Sequence, residues 1–96
     1  MSAYVLFIRE SPIHNQAEID AYHATIQANQ PEPKPKPLAV YGTMESLEGT
    51  PPDGIALLEF ATVEEARAWY YSAGYQAAVP HRRNGAEYRA VIVQGR

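Results

Sequence analysis

The sequence predicts an α+β domain with the element order β-α-β-β-α-β, on three observations. Two helical stretches each open on a capping pair, Asn15 with Glu18 and Thr62 with Glu65. Runs rich in β-branched and aromatic residues precede each helix, AYVLFI and IALLEF, and a third, EYRAVIVQ, closes the chain. Between the two halves lies GTPPDG, whose prolines and glycines mark a reversal.

The first strand, Ala3 to Ile8, places Tyr4, Leu6 and Ile8 on one face and Val5 and Phe7 on the other. Both faces are apolar, as in a strand covered on two sides. Ser11-Pro12 breaks it, and Ile19, Tyr22, His23 and Ile26 then fall on one stripe of a helix over about Gln16 to Ala28. From Pro31 to Pro37 proline alternates with charged residues. Fixed φ values make this tract an extended, solvated connector outside helix and sheet. Leu38 to Tyr41 resumes as strand, Gly42 permits a bend, and Met44 to Glu48 continues the pairing up to the turn. Ile55 to Phe60 is the other arm of this hairpin. Ala66, Trp69, Tyr70 and Ala73 recur at i, i+3, i+4 and i+7, and Gly74 suits a left-handed cap, so the second helix spans about Val63 to Ala73. Tyr75 to Arg83 reads as a short irregular helix broken by Pro80, and Glu87 to Gln94 as the last strand.

Two strand-helix-strand units with right-handed crossovers, joined by a hairpin, give the ferredoxin-like sandwich: a four-stranded antiparallel sheet in the order 4-1-3-2 with both helices on one face. The other face stays open, and its side chains read as apolar or aromatic on every strand. Such a face calls for a cover, and the expected cover is a second copy of the chain, the two sheets pairing as a dimeric α+β barrel.

Ninety-six residues, 46% hydrophobic and 20% charged, make a single domain over residues 1–96 with one core. A net charge of -3 provides no broad positive field, so nucleic acid is not an expected partner despite His81-Arg82-Arg83. The absence of cysteine removes disulfides, thiolate metal sites and cysteine nucleophiles together. The apolar run near the start is too short for a membrane span or a signal core, so no membrane partner is expected and the cytoplasm is the expected compartment.

Arg82 follows the Pro80 break and carries a planar fork of donors suited to a carboxylate, either of a bound organic acid or of Glu59, Glu65 or Glu87 in the protein. Tyr22 and His23 are the candidates for acid or base chemistry, with a place at the edge of the apolar stripe as the alternative for His23. Trp69, Tyr70 and Tyr75 belong to an aromatic cluster that serves either as core or as a stacking platform for a ligand. The histidines show no HxH or HxxxH pair, so no metal site is expected; no cofactor is predicted, though haem ligation stays open.

The run LEGTPP…IALLEFATVEEARAWYYSAGYQAAVPHRR…EYRAVIVQG resembles the signature of the small bacterial domains known as domain of unknown function 1330. The matching positions include Leu47-Glu48-Gly49, Glu59-Phe60, Ala66, Ala68-Trp69-Tyr70, Ser72, Tyr75-Gln76, Pro80, Arg82 and Gly95, with Tyr22 the clearest in the first third. The resemblance implies the fold of the dimeric α+β barrel superfamily, whose other branches include quinone-forming monooxygenases, muconolactone isomerases and haem-dependent chlorite-processing enzymes. It implies a dimer and brings no established activity. The expectation is a small homodimer that binds an organic acid or aromatic metabolite between sheet and helices. The alternatives are a non-catalytic assembly module and, by superfamily analogy, a cofactor-free monooxygenase or isomerase-like enzyme.

Overall fold

Alternation along the first strand sets the layering: Ala3, Val5 and Phe7 are buried, whereas Tyr4, Leu6 and Ile8 between them are only half-covered. The computed structural model describes all 96 residues. Its elements are β1 (Ala3–Arg9), α1 (Gln16–Asn29), β2 (Lys36–Val40), β3 (Gly54–Phe60), α2 (Val63–Tyr70), α3 (Ala73–Gln76), α4 (Val79–Gly85) and β4 (Tyr88–Gln94). All neighbouring strands are antiparallel, in the order β2-β3-β1-β4, which is the ferredoxin-like sheet. The molecule measures 34 × 32 × 16 Å, and the short dimension accommodates one sheet and one helical layer. One sheet face is therefore bare of this chain's own helices.

The core lies between the layers. Val5, Phe7, Ala56 and Phe60 rise from the sheet to meet Tyr22 of α1, Ala66 and Trp69 of α2, Tyr75 of α3 and Val79 of α4. Both predicted caps form: Asn15 Oδ1 accepts from the Glu18 amide at 3.3 Å and Thr62 Oγ1 from the Glu65 amide at 3.0 Å. The Glu18 carboxylate reaches across to His81 Nδ1 of α4 at 2.5 Å and ties α1 to that helix.

Several sequence readings are corrected. The second helix ends at Tyr70, not Ala73, because Ser72 intervenes: its hydroxyl donates to the Trp69 carbonyl at 2.7 Å and accepts from the Tyr75 amide at 3.2 Å. Gln76 Nε2 then takes the Tyr70 carbonyl at 2.7 Å, so the open end of α2 is satisfied by side chains instead of a left-handed Gly74. Gly74 instead lies close under α1, where a Cβ would lie 3.1 Å from Asn29 Cβ. Pro80 begins α4 instead of breaking it, at a position where a missing amide hydrogen costs nothing. The proline tract is shorter than expected as a connector, with Lys36 and Pro37 already in β2. β2 is an edge strand, and the register shift between Pro37 and Ala39 accommodates the proline. Met44 to Glu48 forms no strand, because Tyr41 turns left-handed at φ 52° and the chain leaves the sheet there.

The bare face also departs from the uniformly apolar surface expected. Its middle row is apolar, Ala39, Leu57, Leu6 and Val91 lying side by side. The flanking rows carry charge: Lys36 and Glu59 beside Tyr4 and Val93 at one end, Arg89 beside Ile8 and Ile55 at the other.

Candidate functional site

Four helix-facing places on β1 read Ala3, Val5, Phe7 and Arg9, so a cation occupies the last position of a row that is otherwise core. The register sets Arg9 between Gly54 of β3 and Tyr88 of β4. Arg82, on the inner side of α4, approaches this end of the sheet from above. Its guanidinium carbon lies 5.0 Å from the centroid of Phe7 and 5.2 Å from that of Tyr88. Arg82 is 3% exposed. Neither Glu59, Glu65 nor Glu87 pairs with it: the only ion pairs in the molecule are His81–Glu18 and Arg89–Glu10. Its Nε is shielded from solvent and has no hydrogen-bond partner in the protein. Stacking on two rings attracts the charge without satisfying that N–H.

Phenols surround this cation. Tyr22 and Tyr75 share a hydrogen bond at 2.7 Å, and Tyr41 donates to Tyr88 at 3.0 Å. Burial pushes the Tyr22 phenol far above its ordinary range, Tyr75 beside it adds to the rise, and the Arg82 charge opposes it. Burial likewise raises Tyr41, helped by its bond to Tyr88, and raises Tyr75 against the pull of Arg82. At neutral pH these groups are protonated and act as hydrogen-bond donors, not bases. Tyr41 reaches the cluster by way of its left-handed backbone, and its ring lies over Gly54, where a Cβ would meet Tyr41 Cδ1 at 2.8 Å. That glycine is the space the ring occupies.

Of the residues singled out by sequence, Tyr22, Tyr75 and Arg82 come together here, with Trp69 stacked behind Tyr75 at 4.1 Å between centroids. Trp69 is buried, with Phe7 and Phe60 close on its other sides, so a ligand would have to displace protein to stack on it. Tyr70 is half-buried, with its ring 5.4 Å from that of Tyr75, and it also lines with Tyr71, Val5, Ala90, Val91 and Ile92 an apolar groove of about 260 Å³ beside β4. His23, one step round the helix from Tyr22, is exposed and packs edge-on against that ring from outside at 5.3 Å. Of the two settings open to His23, a closed cleft and the edge of the stripe, the structure has the edge: Ile19, Tyr22 and Ile26 make the inward stripe, and His23 lies outside it. None of the three histidines lines the Arg82 cluster, His14 being exposed and His81 bonded to Glu18, so the cluster offers no imidazole to a haem iron. No group of three or more His, Asp or Glu side chains is gathered as a metal site.

Arg9, Tyr41 and Tyr88 were missed by the sequence reading. Arg9 had a signal, the alternation that puts it in phase with Val5 and Phe7. Tyr88 had a weaker one, as an aromatic residue near the start of the last strand. Tyr41 had none, since no residue pattern announced its positive φ.

The family model described as Domain of unknown function (DUF1330) matches residues 2–96. The chain belongs to that family. No curated protein matches it. Among solved structures it is similar to a dimeric ferredoxin-like protein of unknown function from Thermobifida fusca, at 13% identity and TM-score 0.66 over 99% of this chain and 92% of that one. An ethyl tert-butyl ether d (ethd) family protein from Bacillus halodurans is 10% identical, with TM-score 0.64 over 100% of both chains. SnoaB, a cofactor-independent oxygenase from Streptomyces nogalater, is 11% identical, with TM-score 0.57 over 99% of this chain and 92% of that one. At these identities the likeness is one of fold.

Proposed function

We propose that this protein is a homodimer, paired through the bare sheet face, in which each protomer binds a small organic acid between sheet and helices with Arg82 as the anion anchor. One observation carries the binding site: a guanidinium 3% exposed, with an unpartnered Nε and no carboxylate of the protein paired to it. A buried cation left without a counter-charge is costly, and a carboxylate from solution supplies both the charge and the acceptor. The Tyr22–Tyr75 pair spends one of its two O–H groups on the bond between them and offers the other as a donor, and Phe7 and Tyr88 add apolar walls. Tyr41 and Tyr88 are half-buried and cover this end of the sheet, so a ligand that reaches Arg82 has to displace them.

The dimer is supported by the apolar middle row of the bare face and by the dimeric ferredoxin-like neighbours. Turnover is not part of the proposal, because no side chain in the cluster is equipped to take a proton at neutral pH. The test is a titration with small carboxylates at low ionic strength, followed by emission of the single tryptophan, Trp69, which stacks on Tyr75. A saturable change that is lost in Arg82→Met supports the reading, and no response to any of them overturns it.

A further inference from the structure

We infer that the ligand of this site is a dianion, a small dicarboxylate, bridging Arg82 of α4 and Arg9 of β1 beside the Tyr41–Tyr88 pair. The inference rests on the anion-binding reading above and sharpens it.

Arg9 repeats the anomaly of Arg82. Its Nε is also shielded from solvent and has no partner in the protein. Its one hydrogen bond runs from Nη2 to the backbone carbonyl of Asp53 at 3.0 Å, which leaves the charge uncompensated, and neither ion pair of the molecule includes it. The two guanidiniums stack on the two members of one phenol pair: Arg9 lies 5.4 Å from the Tyr41 centroid and Arg82 lies 5.2 Å from that of Tyr88. Those phenols touch at 3.0 Å. Both positive charges also act on the Tyr41 hydroxyl, opposing the rise that burial and Tyr88 impose on it.

The sheet end thus holds two cations with unused N–H donors around one hydrogen-bonded tyrosine pair. A monoanion would answer one of them and leave the other as it was. A ligand with a carboxylate at each end answers both charges. Two charges on the ligand also distinguish it from the abundant monocarboxylic acids, because only a dianion recovers both contacts.

Calorimetry on the full chain at neutral pH and low ionic strength tests this with three probes: succinate, monomethyl succinate and inorganic phosphate. Monomethyl succinate keeps the carbon skeleton and loses one charge. Succinate is expected to bind about tenfold or more tightly than the ester, the worth of one charge-assisted contact. In Arg9→Met that preference should vanish while binding of the ester persists. Equal affinities for succinate and its ester in the unmodified protein overturn the dianion inference and leave the anion site standing. Phosphate binding tighter than succinate overturns the dicarboxylate class. No heat from any probe takes down the anion site itself. The comparison of succinate with its ester needs no variant, so it decides the question even if Arg9→Met fails to fold.

Discussion

The phenol oxygens of Tyr22 and Tyr75, 53 residues apart in the chain, meet at 2.7 Å in the core. One comes from α1 and the other from the single turn of α3 that Ser72 caps, so a local capping choice delivers the second hydroxyl to the first. With Arg82 close to Tyr75, the pair forms the polar floor of an otherwise apolar interior.

Burial raises the Tyr22, Tyr41 and Tyr75 phenols above their ordinary value, which is about 10. On raising the pH the unfolded chain loses these protons first and then binds fewer than the folded one, so stability falls as pH rises past about 10 and is fully present below it. The unfolding free energy from urea titrations is expected to hold level from about pH 7 to 9 and then decline, by up to about 1.4 kcal/mol per pH unit for each phenol. In Tyr22→Phe the alkaline slope should be shallower, at a cost near neutrality of about 1 kcal/mol for the lost hydrogen bond. A level profile to pH 11 or so in the unmodified protein would show phenols that ionise freely.

Arg82→Met exchanges a buried, unpaired cation for an apolar chain of similar reach and strands no carboxylate, since none pairs with Arg82. The melting temperature is expected to stay the same or rise while carboxylate binding is lost. A drop worth a few kcal/mol would mean the guanidinium holds the fold together, and an unaltered response to carboxylates would remove it from the site.

Trp69 is 3% exposed and lies within 4.1 to 6.2 Å, centroid to centroid, of Tyr75, Phe60 and Phe7. Truncation to alanine opens a large cavity among rings that cannot collapse to fill it, at a cost of about 3–5 kcal/mol by chemical denaturation. A change near zero would place the indole outside the core.

The dimer is to be tested at the centre of the bare face. Leu57 stands there between Leu6 and Ala39, and an aspartate in its place would bury a charge in each half of the interface. Light scattering at micromolar concentration should give a dimeric mass for the unmodified chain and a monomeric mass for Leu57→Asp, with the helical signal intact. A monomer in the first case contradicts the interface, and a dimer in the second moves it to another surface.

Most of the fold was legible because its causes are local. Period-two alternation marked the inner and outer faces of β1, Asn15 and Thr62 marked the helix starts, and the order of elements with right-handed crossovers left one sheet topology. Where local readings failed, a side chain had acted at short range against the pattern. Ser72 ended α2 before its apolar stripe ran out, and Tyr41 left the sheet on a backbone conformation that tyrosine rarely adopts.

The site divides along the same line. By itself the sequence put Tyr22 and Trp69 on the inward stripes of their helices, because helical phase settles which way they face, and it singled out Arg82 and Tyr75 as candidates without settling their orientation. Only the tertiary structure decided that Arg82 has no carboxylate beside it, that Arg9 and Tyr41 join it from the sheet, and that His23 stays outside. These depend on strand register, on the close approach of Tyr41 to Gly54, and on the distance of Glu59, Glu65 and Glu87 from a guanidinium buried above Phe7. Register and approach are properties of residues far apart in the chain, fixed when the layers close, and no run of neighbouring residues encodes them.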